Sequence, residues 1–265
     1  MTFDVAELDL LKEALLTMGD GFARLPRSGR ADGDEEQMRA VLQALALRLQ
    51  DNYPYHHPMY AGQMLKPPHA IARLAYALAL WLNPNNHALD GGRATSALEK
   101  EAVAAIARMF GWPEALGHLC SGGTVANLEA LWVAGQLHPR ATIVASEQAH
   151  YTHGRISAVL GLPFEAVPCD AHARMDVAAL DRMLTRGGVG TVVVTAGTTA
   201  TGSTDPLPDI LALRARHDFR IHVDAAYGGY FRLARNLSPH TAAVLAAVGE
   251  ADSIVIDPHK HGLQP

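Results

Sequence analysis

The chain of 265 residues is 49% hydrophobic and 18% charged, with a formal net charge of −5, an ordinary globular composition with enough length for one large core or two modest ones. It has no basic run and only scattered arginines, so nothing recommends nucleic acid or an anionic membrane as a partner. The start, Met1-Thr2-Phe3-Asp4, lacks the basic region and apolar core of a signal peptide, and the apolar runs are too short to span a bilayer; a cytoplasmic location is expected. Cys120 and Cys169 form neither a metal-type spacing nor a disulfide framework, and both are expected as free thiols.

In chain order, Val5, Leu8, Leu11 and Leu15 stand at helical spacing within residues 4–18, and Met38, Val41, Leu42 and Leu45 repeat the pattern within 35–50. A Gly- and Arg-rich stretch from Gly19 to Gly33 links the two helices. The run Asn52-Tyr53-Pro54-Tyr55-His56-His57-Pro58-Met59-Tyr60 is too proline-rich for regular structure and too aromatic for a bare linker, so it is expected to be an ordered lining loop. A helix from about His69 to Leu82 is apolar nearly all round, as in a buried helix or one held in a subunit interface. Ser96, with Glu99 three residues on, predicts a capping box opening a helix over 97–110. From there strand and helix alternate. Residues 142–146, 164–168, 191–196, 220–223 and 253–256 read as short buried strands, separated by helices near 124–136, 152–160, 176–185, 206–216 and 239–248. The expected fold is α/β: a mostly parallel sheet with helices on both faces.

Such a sheet gathers its ligand site at the carboxyl ends of the strands, and five stretches fall there. Cys120-Ser121-Gly122-Gly123-Thr124 opens a helix whose free amides and dipole favour a phosphate; the plainer reading is Ser or Thr capping a helix after a glycine turn. The spacing matches neither the Walker-A loop nor the dinucleotide fingerprint. His150, after Ser146-Glu147-Gln148-Ala149, could lie flat against a planar ligand or be an ordinary hydrogen-bonded histidine. Gly197-Thr198-Thr199 begins a hydroxyl-rich loop in which Asp205 most simply caps the next helix. Asp224 ends an apolar strand, with small residues beside it, and a carboxylate so placed needs a partner such as a pyridinium N–H. Last comes Ile254-Val255-Ile256-Asp257-Pro258-His259-Lys260. Only four of the 22 basic residues are lysines, and Lys260 could lose its proton and attack a carbonyl, which arginine cannot do. The pairs His150 with His153 and His259 with His261 sit on no HExxH-type helix and have few carboxylates near them, so no metal site is expected.

Taken together, Ser121-Gly122-Gly123-Thr124, Glu147-Gln148-Ala149-His150, Gly197-Thr198-Thr199, Val223-Asp224-Ala225-Ala226-Tyr227-Gly228 and Asp257-Pro258-His259-Lys260 resemble, in order and comparable spacing, the pyridoxal-phosphate-dependent amino-acid decarboxylases, the group of the glutamate and aromatic-amino-acid decarboxylases. The resemblance covers the chain from about Tyr53 onward. It implies pyridoxal 5'-phosphate as cofactor, an amino acid as substrate, a homodimer, and the large domain of an aspartate-aminotransferase-like enzyme over 91–265 behind a helical, interface-forming segment over 1–90. It makes Lys260 the aldimine lysine, Asp224 the acid that keeps the pyridine nitrogen protonated, and His150 the ring-stacking residue. Ser121, Gly122, Gly123 and Thr124 would hold the phosphate with His259, and Thr199 and Ala226 would line the ring. The implied reaction removes the α-carboxylate through a quinonoid intermediate. Another enzyme of the same cofactor and fold, a carbon–carbon lyase or an aminotransferase, competes with that reading, as does an inactive cofactor-binding remnant. The family continues beyond the lysine with more strands, a mobile loop and a small C-terminal domain, so the 265 residues alone are expected to have little activity and to aggregate or need a partner chain.

Overall fold

The computed structural model describes residues 4–26, 34–62, 64–88 and 90–265. Two compact units divide the chain, residues 1–84 with 263–265 and residues 85–262.

The first unit is helical: α1 (Glu7–Asp20), α2 (Glu35–Leu49) and α3 (Ala70–Leu80). Asp34 caps α2 by accepting from the Glu36 and Gln37 amides, and His69 Nδ1 caps α3 by accepting from Ile71 N–H. Helix α1 runs two residues into the expected Gly/Arg-rich link, of which residues 27–33 lie outside the described residues. Of the two expectations for the helix near 69–82, burial within the chain is corrected, since only Ala72 of α3 is buried while Ile71, Tyr76 and Leu80 are each more than half exposed; a place in a subunit interface is compatible with that exposure. The proline-rich loop is ordered by its own rings, with Tyr60 stacked on Tyr53 at 6.3 Å and edge-on to Tyr55 at 5.0 Å.

The second unit opens with α4 (Arg93–Met109), followed by α5 (Gly123–Leu137), β1 (Thr142–Ser146), α6 (Thr152–Leu160) and β2 (Phe164–Val167). Then come α7 (Val177–Arg186), β3 (Val189–Thr195), α8 (Leu207–Ala212), β4 (Arg220–Ala225), α9 (Pro239–Ala247) and β5 (Ser253–Ile256). The strands form one parallel sheet in the order β2-β1-β3-β4-β5. Both of its faces are covered, and the alternation along β3 shows how. Val192 and Val194 belong to the core under α7, α8 and α9 with Leu180, Leu207 and Leu245, whereas Val193 turns to Leu131, Ala134 and Ile156 of α5 and α6. The inner strands β1 and β3, buried on two faces, read as runs rich in Ile and Val, whereas β2, Phe164-Glu165-Ala166-Val167 at the sheet edge, is buried only at Val167, which corrects the expectation of a buried strand there.

Two caps differ from expectation. Helix α4 starts one turn before Ser96, on Gly92, because Glu99 is turned to other loops: its carboxylate accepts from Leu119 N–H at 2.8 Å and from the Asn86 amide at 3.3 Å. Asp205 does not cap α8. It is fully buried and accepts from the Met175 and Thr195 amides at 2.7 and 2.8 Å, tying its loop to the end of β3. Burial pushes its carboxyl up to about 6, with those two amides pulling the other way. Among the described residues no helix is long and apolar enough to cross a membrane, and no cluster of three or more His, Cys, Asp or Glu is placed to hold a metal ion.

Candidate active site

The carboxyl ends of β3, β4 and β5, the first turn of α5 and the loop after β1 surround a cavity of about 260 Å³. Of the residues singled out from the sequence, Gly123, Thr124, His150, Thr199, Asp224, Ala226 and Lys260 line it, and Gly197 stands among them. Ser121, Gly122 and His259 are not brought to the wall; Ser121 and His259 are exposed. The residues after β5 form a turn in which Lys260 N–H meets the Asp257 carbonyl, and this turn carries Lys260 to the cavity while His259 stays outside. Lys260 Nζ lies 3.9 Å from Asp257 Oδ2.

No side chain caps α5, so Ser121 and Thr124 do not act as caps, and the positive end of the helix dipole is left open where Gly123 and Thr124 meet the cavity. The turn into the helix needs Gly122, at φ +130°, a conformation that costs an L side chain strain. Gly123 is tight for a different reason: a Cβ there would stand 3.3 Å from Ala226 Cβ and 3.6 Å from Asp257 Oδ2. At Gly197 both constraints coincide. Its φ is +101°, and a Cβ would lie 2.9 Å from the Tyr227 ring and 3.1 Å from Gly228 Cα. Gly197→Ala is expected to lower the unfolding free energy by about 2–3 kcal/mol. Denaturant titration checks this, and a loss below about 0.5 kcal/mol, the level of an ordinary surface change, would contradict it.

Asp224 is buried and hydrogen-bonded through both carboxylate oxygens. Its Oδ2 takes His153 Nε2 at 2.9 Å and Asn127 Nδ2 at 3.3 Å, and its Oδ1 takes the Ala226 amide at 3.1 Å. Burial alone would raise this carboxyl; the hydrogen bond and charge of His153, with the Ala226 amide, reverse that and hold it at about 2. Asn127 also donates to the Gly123 carbonyl at 2.8 Å and accepts from His222 Nε2 at 2.9 Å, while His222 Nδ1 faces Ser253 Oγ at 2.8 Å. Burial, joined by the charge of His153, pulls His222 down to about 4 and keeps its ring neutral. His150 packs against Tyr151 with ring centroids 4.2 Å apart. Burial lowers its imidazole as well, Asp224 opposing and the Lys260 charge assisting.

Asn127, His153 and His222 carry this network, yet sequence reasoning gave none of them a role. Faint signals existed. His222 stands two residues before Asp224 on one strand, hence on the same face, and Asn127 stands four after Gly123 on one helix, hence one turn along.

The domain family described as "Pyridoxal-dependent decarboxylase conserved domain" matches residues 127–265. The chain belongs to this family. Among curated relatives, a probable L-tyrosine/L-aspartate decarboxylase of Methanocella arvoryzae is 32% identical over 238 residues, covering 88% of this chain and 60% of its own length. A probable L-aspartate decarboxylase of Halobacterium salinarum is 32% identical over 215 residues, covering 80% of this chain and 58% of its own. The chain therefore spans about 60% of the length of such relatives. The crystal structure of mouse CSAD superposes with a TM-score of 0.76 at 26% identity, covering 94% of this chain and 54% of the other. The glutamate decarboxylase domain of a two-function Vibrio parahaemolyticus protein superposes with a TM-score of 0.76 at 23% identity, over 100% of this chain and 66% of that one, which shows the shared aspartate-aminotransferase-like fold. Pyridoxal phosphate is the cofactor of the family, and the cavity fits it: an open helix end for an anion, a buried carboxylate held as an anion, and a lysine amine all meet one space.

Proposed function

We propose that the protein is a carboxy-lyase that removes the α-carboxylate of an amino acid with pyridoxal phosphate. The observation that carries this reading is Asp224, a buried carboxylate with three donors that lines the same cavity as Lys260. Bound there, the cofactor supplies a protonated pyridine ring that accepts the electron pair left when a bond at the substrate's Cα breaks. Lys260 offers the amine that holds the cofactor's carbonyl carbon, and Asp224 holds a proton at the pyridine nitrogen, where its charge acts directly on the barrier. His150, whose imidazole burial makes less basic, would cover one face of the ring. The first turn of α5, with Gly122, Gly123 and Thr124, anchors the phosphate, with Ser121 and His259 at its margin, and Thr199 and Ala226 line the ring. We further infer a cytoplasmic homodimer whose interface draws on residues 1–90; the exposed Met38, Val41 and Leu42 on α2 support such a use. The test is carbon dioxide release by the protein at its natural length, saturated with pyridoxal phosphate, from a panel headed by L-aspartate and L-tyrosine, the amino acids in the names of its relatives. Release on the order of one per second from at least one amino acid, absent without cofactor, is the expected result. Conversion to a keto acid without carbon dioxide would contradict it and indicate amino transfer.

A further inference from the structure

We propose that His153 is the positioning residue for Asp224: its Nε2–H fixes the carboxylate so that one site on Oδ1 is left for the cofactor. This rests on reading Asp224 as the partner of the pyridine nitrogen. His153, the second residue of α6, has no exposed surface, yet the 2.9 Å contact to Asp224 Oδ2 engages only one of its ring nitrogens; Nδ1 has no hydrogen-bond partner among the described residues. An imidazole buried with one nitrogen unpaired costs about 1–3 kcal/mol relative to a satisfied or apolar side chain, so packing alone gives no reason for a histidine at this position. Its one bond does. An ionised carboxylate only accepts, so Nε2 carries the proton.

The neighbouring groups assign the rest. His222 is neutral, and its Nδ1 accepts from the Ser253 hydroxyl while its Nε2–H donates to Asn127 Oδ1. That fixes the Asn127 amide, whose two protons go to the Gly123 carbonyl and to Asp224 Oδ2. A carboxylate oxygen has room for about two donors. Oδ2 is therefore filled by His153 and Asn127, and Oδ1, which holds only the Ala226 amide, keeps one site open. The charged or titratable groups around this carboxylate are His153 of α6, His222 of β4, and His150, Tyr227, Asp257 and Lys260, which line the same cavity.

The test follows the visible absorbance of bound pyridoxal phosphate as pH is raised. Loss of a hydrogen bond to a charged group, about 1.5–3 kcal/mol, corresponds to roughly one to two pH units. His153→Phe, which keeps the bulk and removes the donor, is expected to raise the midpoint of the spectral change by up to that amount, because a carboxylate relieved of a donor holds the pyridine proton more tightly, and His153→Gln, which restores a donor, to bring it most of the way back. An unmoved midpoint in a folded His153→Phe protein, with Asp224→Ala shifted, would overturn the proposal. Unmoved midpoints in both variants would overturn the reading of Asp224 itself. Nitrogen NMR of the cofactor-free wild type needs no variant to fold: a His153 ring protonated at Nε2 is expected, and one protonated only at Nδ1 would overturn the assignment.

Discussion

Replacing Lys260 with alanine is expected to lower carbon dioxide release by about four orders of magnitude or more, the scale seen when a group that bonds covalently to the reacting system is removed. Lys260→Arg should do no better, because a guanidinium does not release its proton at working pH. The phosphate-holding first turn of α5 is untouched by either change, so cofactor should still bind and leave only on dialysis. Turnover within about tenfold of the wild type would show that another amine does the work, and Lys260 would then be a surface cation paired with Asp257.

For Asp224→Ala the expected loss of turnover is about 10²- to 10³-fold, the range for removing one preorganised group that stabilises developing charge. Cofactor retention should fall far less, because the α5 end and Lys260 remain. Alanine also strands the His153 and Asn127 donors in a buried site, at a cost of about 1–3 kcal/mol each, so the variant should melt earlier. Asp224→Asn separates the two effects: it keeps an acceptor for one donor but carries no charge, and its rate should be nearly as low as alanine's while its stability is closer to the wild type. Steady-state rates, dialysis and thermal unfolding of the three proteins make the comparison. Equal loss of binding and rate, with the fold intact, would make Asp224 a structural residue.

The sheet was legible because several of its strands carry short β-branched runs such as Ile254-Val255-Ile256 and Val192-Val193-Val194, and β3, buried along nearly its whole length, has few polar residues to confuse the period. Helix ends were less legible. The Ser96–Glu99 pair has the spacing of a capping box, but Glu99 bonds the Leu119 amide twenty residues away, and no local pattern announces that. Asp205 likewise had the look of a cap and is instead a buried tie between Met175 and Thr195. The site divides in the same way. Gly123, Thr124, His150, Asp224 and Lys260 stand at junctions that topology alone carries to one edge of the sheet. The support behind them is a set of contacts spanning 71 to 97 residues of chain, His153 to Asp224 and Asn127 to His222 and Asp224. Each of those residues looks unremarkable in its own segment, because its meaning depends on which strand lies next to which helix.

Reductive trapping tests whether the cavity at the ends of β3, β4 and β5 holds pyridoxal phosphate through Lys260. The protein is saturated with pyridoxal phosphate, reduced with borohydride, digested, and its peptides are mapped by mass spectrometry. A single major pyridoxyl-modified peptide containing Lys260 is expected. Modification centred on Lys12, Lys66 or Lys100, or none above the level of a denatured control, would contradict it.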